Sequence, residues 1–275
     1  MNLHRFILGL LAGLLYAASP ASAQTLATAT ATAIMDTPSV VDSAGRLRML
    51  SQRVVKAYLM LGQGIAAEDA RSLLQGSIDQ FDSQLEALKK FQPTPSVRSA
   101  LVKVEDAWTK CKAQLTAAPS KPGAIELYDA SETLQKAAHS ATLAYVQVSA
   151  APLNHLVSLA GRQRMLSQRM AKFYFYRAWE LYDDPADMEL HLSRAHFTAV
   201  LLQIESSPLA TSQIRASVAQ IRREWEPYQQ LLFASRKPPE MRLAGARVSE
   251  LSERVLAATE ALVAQLVAQS HGASR

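Results

Sequence analysis

Cysteine is almost missing from this chain. Cys111 is the only one in 275 residues, so there is no internal disulfide, no paired-cysteine zinc spacing and no haem attachment motif. A lone cysteine of this kind is expected to be a small packed residue. Glycine is scarce, with 10 residues, and aromatics make up 7% of the chain. Alternating β-branched and aromatic runs are absent, which argues against a sheet protein. Beyond the N-terminus no stretch approaches ~18 uninterrupted apolar residues, so no second membrane span is expected. The formal charge is +5, yet the basic residues are dispersed among acids. Without a Lys/Arg block or a basic patch interleaved with aromatics, nucleic-acid binding is poorly supported.

What is present points to helices. Alanine is abundant, and 49% of the residues are hydrophobic, enough for a substantial core. Residues 1–23 read as a secretory signal: His4 and Arg5, an apolar segment from Phe6 to Ala18, then the small residues Ala21-Ser22-Ala23. Cleavage is expected after Ala23, which makes the mature chain an exported one, with an uncleaved N-terminal anchor as the alternative. Gln24 to Ala33 alternate mainly Ala and Thr, and residues 24–37 read as a flexible leader.

One stretch is written twice. Ala44-Gly45-Arg46-Leu47-Arg48-Met49-Leu50-Ser51-Gln52-Arg53-Val54-Val55-Lys56 returns as Ala160-Gly161-Arg162-Gln163-Arg164-Met165-Leu166-Ser167-Gln168-Arg169-Met170-Ala171-Lys172. Ten of the thirteen positions are identical, at a spacing of 116 residues. Landmarks outside the motif keep nearly the same offset: Phe81 and Phe197 by 116, Trp108 and Trp225 by 117, Pro122 and Pro239 by 117. A fixed period of this kind implies a duplicated module.

Helical periodicity runs through eight segments separated by Pro- and Gly-rich breaks, predicted over 39–61, 67–91, 96–117, 124–149, 153–182, 186–206, 211–235 and 240–270. Short loops between successive helices make antiparallel neighbours. The expected architecture is all-α, two tandem antiparallel four-helix bundles related by pseudo-twofold symmetry. A single merged bundle is the structural alternative. The expected modules span 38–150 and 151–271.

On a helical wheel, Leu47, Leu50, Val54, Tyr58 and Leu61 form the bundle-core stripe. An adjoining stripe holds Val41, Gly45, Arg48, Gln52, Val55 and Leu59, matched by Val157, Gly161, Arg164, Gln168, Ala171 and Phe175. A small residue one turn before an arginine allows another helix to come close. If the motif helices meet along these stripes, Arg48 and Arg164 face each other. A small planar oxyanion between them would accept charge-assisted hydrogen bonds from both guanidiniums, and Gln52 and Gln168 would add amide donors. The same arginines and glutamines also fit solvated or salt-bridged positions that simply reflect how the fold packs.

Other constellations carry less. His191 and His196 are five apart and share no helical face, so no metal site is expected, and no cofactor. Ser51 and Ser167 lack a base in the motif, so no catalytic residues are assigned and no enzyme is expected. Phe173-Tyr174-Phe175-Tyr176 should lie partly outward, as a seam or a docking surface for a membrane protein.

The string Ala-Gly-Arg-x-Arg-Met-Leu-Ser-Gln-Arg resembles the signature of the PilJ-type sensor domain, the periplasmic N-terminal domain of type IV pilus methyl-accepting chemotaxis transducers. It is also similar to the sensor domain of NarX-type nitrate/nitrite kinases. The resemblance implies a periplasmic helical bundle. It implies that nitrate or nitrite sits between first helices, held by the arginine preceding the methionine. Those arginines are Arg48 and Arg164, and Gly45 and Gly161 match the family glycine. Two copies in one chain would supply internally what receptors assemble by dimerisation. This chain departs from the receptors in two ways. It stops at Arg275 without a signalling region, so a membrane receptor or another periplasmic partner is expected to carry the signal. The family amide before the glycine is also absent; Val41-Asp42-Ser43 and Val157-Ser158-Leu159 stand there, and Asp42 brings negative charge. The expected function is an exported sensor module for a small oxyanion. The alternative is a ligand-free interaction or scaffolding module in the cell envelope, and homo-oligomers are compatible with either.

Overall fold

Several helices start at a proline or a capping residue in the breaks of the sequence. The computed structural model describes residues 37–148 and 152–273, so the expected signal peptide over 1–23 and all of the expected leader but Thr37 lie outside the described residues. Among the described residues the helices are α1 Thr37–Gly62, α2 Ala67–Lys89, α3 Pro95–Leu115, α4 Lys121–Val146, α5 Pro152–Ala178, α6 Asp183–Glu205, α7 Ser212–Leu232 and α8 Pro238–Ala273. Thr94, Ser120 and Thr211 cap α3, α4 and α7, each side chain accepting from the backbone N–H three residues on. No described helix is long and apolar enough to cross a membrane.

The α1–α2 turn shows how far the duplication reaches. Gly64 and Ala66 take left-handed backbone conformations there, and so do Glu180 and Tyr182 in the α5–α6 turn, at the same 116-residue offset. Ile65 N–H donates to Met60 carbonyl at 3.0 Å and Leu181 N–H to Tyr176 carbonyl at 2.9 Å, the same helix-ending bond in both halves. The backbone plan is therefore kept where the residue types are not. These left-handed residues also end α5 at Ala178, one turn before the expected Tyr182.

Within each half the first helix packs on the second and fourth, and the third packs on the fourth. The two four-helix repeats join through α1 and α5, which pack directly on each other, and the described helices form one compact unit. This central position changes what α5 can expose. Phe173, Tyr174, Phe175 and Tyr176 are all at most 1% exposed, so the run is no docking surface, while the expectation of a seam between the halves holds. The reason is that α5 has neighbours all round. Tyr174 donates its hydroxyl to Met241 carbonyl on α8, and Tyr176 donates to Ala124 carbonyl on α4 of the other half.

One exterior difference separates the repeats. On α6, Met188, Leu192, Ala195, Ala199 and Leu202 face solvent at alternating spacings of four and three. The positions 116 residues earlier on α2 are Ser72, Gly76, Asp79, Ser83 and Glu86. The fold does not require an apolar stripe there, since the first repeat does without one.

Candidate functional site

The α1–α5 seam brings the repeated stripes face to face. Arg48 is 1% exposed and Arg164 0%. Arg48 Nη2 donates to the carbonyl of Ser158 at 3.0 Å, and Arg164 Nη2 approaches the carbonyl of Asp42 at 3.4 Å. Positions 42 and 158 are pseudo-symmetric equivalents, so each arginine crosses to the same place on the opposite helix.

Gly45 and Gly161 permit this approach. A Cβ on Gly45 would stand 3.3 Å from Arg48 Nη2 and 3.4 Å from Arg164 Nη2; one on Gly161 would stand 3.2 Å and 3.3 Å from the Nη2 atoms of Arg164 and Arg48. Both guanidinium ends thus crowd both glycines. Like charges buried this close need a counter-charge, and the supply is uneven. Asp42 reaches Arg164 Nη2 with Oδ1 at 2.5 Å. Among the described residues no carboxylate pairs with Arg48; its Nη1 lies 3.4 Å from His139 Nδ1, which accepts, leaving the imidazole proton on Nε2. Burial first, then Arg164 and Arg162, draws the Arg48 guanidinium down to about 9. Burial and the charges of Arg48 and Arg162 hold His139 below its ordinary value, so it is neutral at pH 7.

Three guanidinium nitrogens in the seam, Arg48 Nε and Arg164 Nε and Nη1, have no hydrogen-bond partner among the described residues. Buried donors of a charged group are rarely left so, because each costs about 1–3 kcal/mol or more. The two buried guanidiniums meet at the Gly45–Gly161 crossing, and charged donors of this kind are what a small anion is held by.

The glutamines are placed differently. Gln52 donates to Ser51 Oγ at 3.0 Å, and Gln168 donates to Ser252 carbonyl on α8 at 3.1 Å. Their amide nitrogens are engaged away from the arginine pair. Ser51 and Ser167 donate back to the carbonyls of Arg48 and Arg164, at 2.7 and 2.8 Å. Each motif thus fixes its arginine's own turn with Ser.

A family model described as the type IV pili methyl-accepting chemotaxis transducer N-term, PilJ, matches residues 36–133 and 145–269. The chain belongs to the PilJ family. The match falls in two segments, one per repeat, and covers both motif helices. Comparison with curated proteins and with solved structures gave no match.

The PilJ motif also supplies a second pair of centres that sequence reasoning missed. Lys56 and Lys172 are both 0% exposed. Lys56 donates to Ser252 Oγ at 3.0 Å and to Glu253 Oε1, which Arg53 also holds. Lys172 donates to Glu132 Oε1 at 2.6 Å, and Arg169 grips the same carboxylate with both Nη atoms at 2.8 and 2.9 Å. Burial alone would raise the Glu132 and Glu253 carboxyls, but their Lys and Arg partners pull both down to about 2. The signal that could have found them is the Ser-Glu pair at 131–132 and again at 252–253. Its offset of 121, not 117, hides it behind one extra helical turn. Cys111 is fully buried, and burial pushes its thiol up to about 12, which makes it a packed and unreactive residue.

Proposed function

We propose that the protein is an exported sensor-type module that binds a small oxyanion, nitrate or nitrite first, between α1 and α5. The two modules, residues 38–150 and 151–271, each contribute one arginine, Arg48 and Arg164, and one glycine, Gly45 and Gly161. The bound state is passed to the periplasmic face of a membrane receptor or to another envelope protein. What carries this reading is the buried guanidinium pair, with three nitrogens lacking a partner among the described residues. The family membership supports it by placing the chain among transducer sensor domains.

The test is a thermal shift of the full chain with nitrate, nitrite and chloride. Ligand at 100 times its dissociation constant adds about 2.7 kcal/mol, which is about 5–10 °C for a domain of this size. Arg48→Ala and Arg164→Ala should each abolish the shift, and Arg46→Ala should leave it. No shift with any oxyanion refutes the reading.

The second reading is a ligand-free interaction module, and the α6 stripe favours it. Met188, Leu192 and Leu202 are 66%, 46% and 54% exposed, at coiled-coil spacing. On this reading no oxyanion shifts the melt, and Leu192→Glu removes an envelope partner without altering stability. Retention of every partner by Leu192→Glu counts against it.

A further inference from the structure

We propose that Asp42 is a built-in counter-ion that restricts the α1–α5 seam to a singly charged anion and excludes dianions. This rests on the oxyanion reading above and adds the ligand's charge to it.

The argument is one of charge matching in a dry place. Two guanidinium groups are buried in the seam, and one carboxylate is spent on them. Asp42 Oδ1 lies 2.5 Å from Arg164 Nη2, and Oδ2 lies 3.4 Å from Arg46 Nε. The pseudo-symmetric residue is Ser158, which gives Arg48 only its backbone carbonyl. The second repeat therefore lacks the carboxylate that the first one has. The surrounding elements do not make up the difference. On α8, Glu260 is taken by Arg46 at 2.9 Å. On α4, the place facing Arg48 is held by His139, which is neutral. On α5, Arg162 adds positive charge that acts on Arg48 and His139, weakened by its partial solvation, so it supplies no counter-charge either.

One net positive charge remains inside, on the Arg48 side. The nitrogens without a described partner, Arg48 Nε and Arg164 Nε and Nη1, lie on the same two groups. A monoanion brings the buried set to neutrality and can accept from these donors. A dianion would leave an uncompensated negative charge away from water, which is strongly unfavourable. Without Asp42 the balance shifts by one charge, and the dianion becomes the better match.

Titration calorimetry on the full chain with nitrate and with sulfate, at neutral pH and fixed ionic strength, tests this. The wild-type protein should bind nitrate and not sulfate. Asp42→Ser, which copies Ser158 into the first repeat, should bind nitrate about tenfold more tightly and gain sulfate binding. Asp42→Asn removes the charge while keeping an acceptor for Arg164, and decides the matter if the serine variant does not fold. Sulfate binding by the wild type overturns the proposal. So does continued rejection of sulfate by a neutral variant that still binds nitrate. If the wild type and a folded neutral variant bind no oxyanion at all, the oxyanion reading itself falls, and this proposal with it.

Discussion

Gly45 and Gly161 set how near the two guanidiniums stand to the opposite helix. A helical Gly→Ala change ordinarily gains up to about 1 kcal/mol. Here the new Cβ would press on Arg48 and Arg164 Nη2 at 3.2–3.4 Å. Gly161→Ala should therefore keep or slightly raise the melting temperature while weakening nitrate binding about tenfold, as read by melting and calorimetry on the same sample. A fall in both would mean that the glycine serves packing and not the site. At this scale the sequence was informative wherever the chemistry is local. The 3.6-residue period put Gly45, Arg48 and Gln52 on one stripe. It could not show where the Gln52 amide turns, because its partner is the neighbouring Ser51 hydroxyl, not the seam. Nor could it show His139, which comes to Arg48 from 91 residues away on another helix.

Among the elements, α4 and α8 matter beyond their role as covers. Each sends a Ser-Glu pair to the motif helix of the opposite repeat: Glu132 from α4 to Lys172 and Arg169 on α5, Glu253 from α8 to Lys56 and Arg53 on α1. These crossed pairs tie the repeats together on either side of the seam. Removing one partner strands a buried ammonium. Glu253→Gln should cost about 3–5 kcal/mol in chemical denaturation, and Glu132→Gln a similar amount. The pH dependence has a definite sign. Both carboxyls are depressed in the folded state to about 2 from an ordinary 4.5. Their contribution is complete above the unfolded value and is lost as pH falls from there through about 2. Denaturation midpoints at pH 6 and pH 3 should differ sharply in the wild type and much less in the double Gln variant. Equal drops in both would contradict these pairs as the acid-sensitive elements. The helices themselves were legible, with boundaries set by Pro and capping residues. The aromatic run on α5 is buried in the seam, where a wheel expects one wet face, because α5 serves two bundles at once.

In the molecule as a whole, the duplication was legible from the twice-written motif, from Phe81 with Phe197, and from Trp108 with Trp225. The internal offset of α4 against α8 was not, since one extra turn preserves the face and breaks the count. The repeats share a backbone plan, and two of their differences, the Asp42/Ser158 pair and the α6 exterior, lie at a site or on the surface. Those differences are where a duplicated protein can divide labour between its halves. They suit a module with one asymmetric anion site inside and one apolar stripe outside for a partner. With Arg48 and Arg164 both in one chain, the proposed site needs no second chain to complete it. Calorimetric stoichiometry with nitrate measures this directly. One nitrate per chain is expected, lost entirely in Arg48→Ala and in Arg164→Ala. One nitrate per two chains, two per chain, or no binding at all would contradict it.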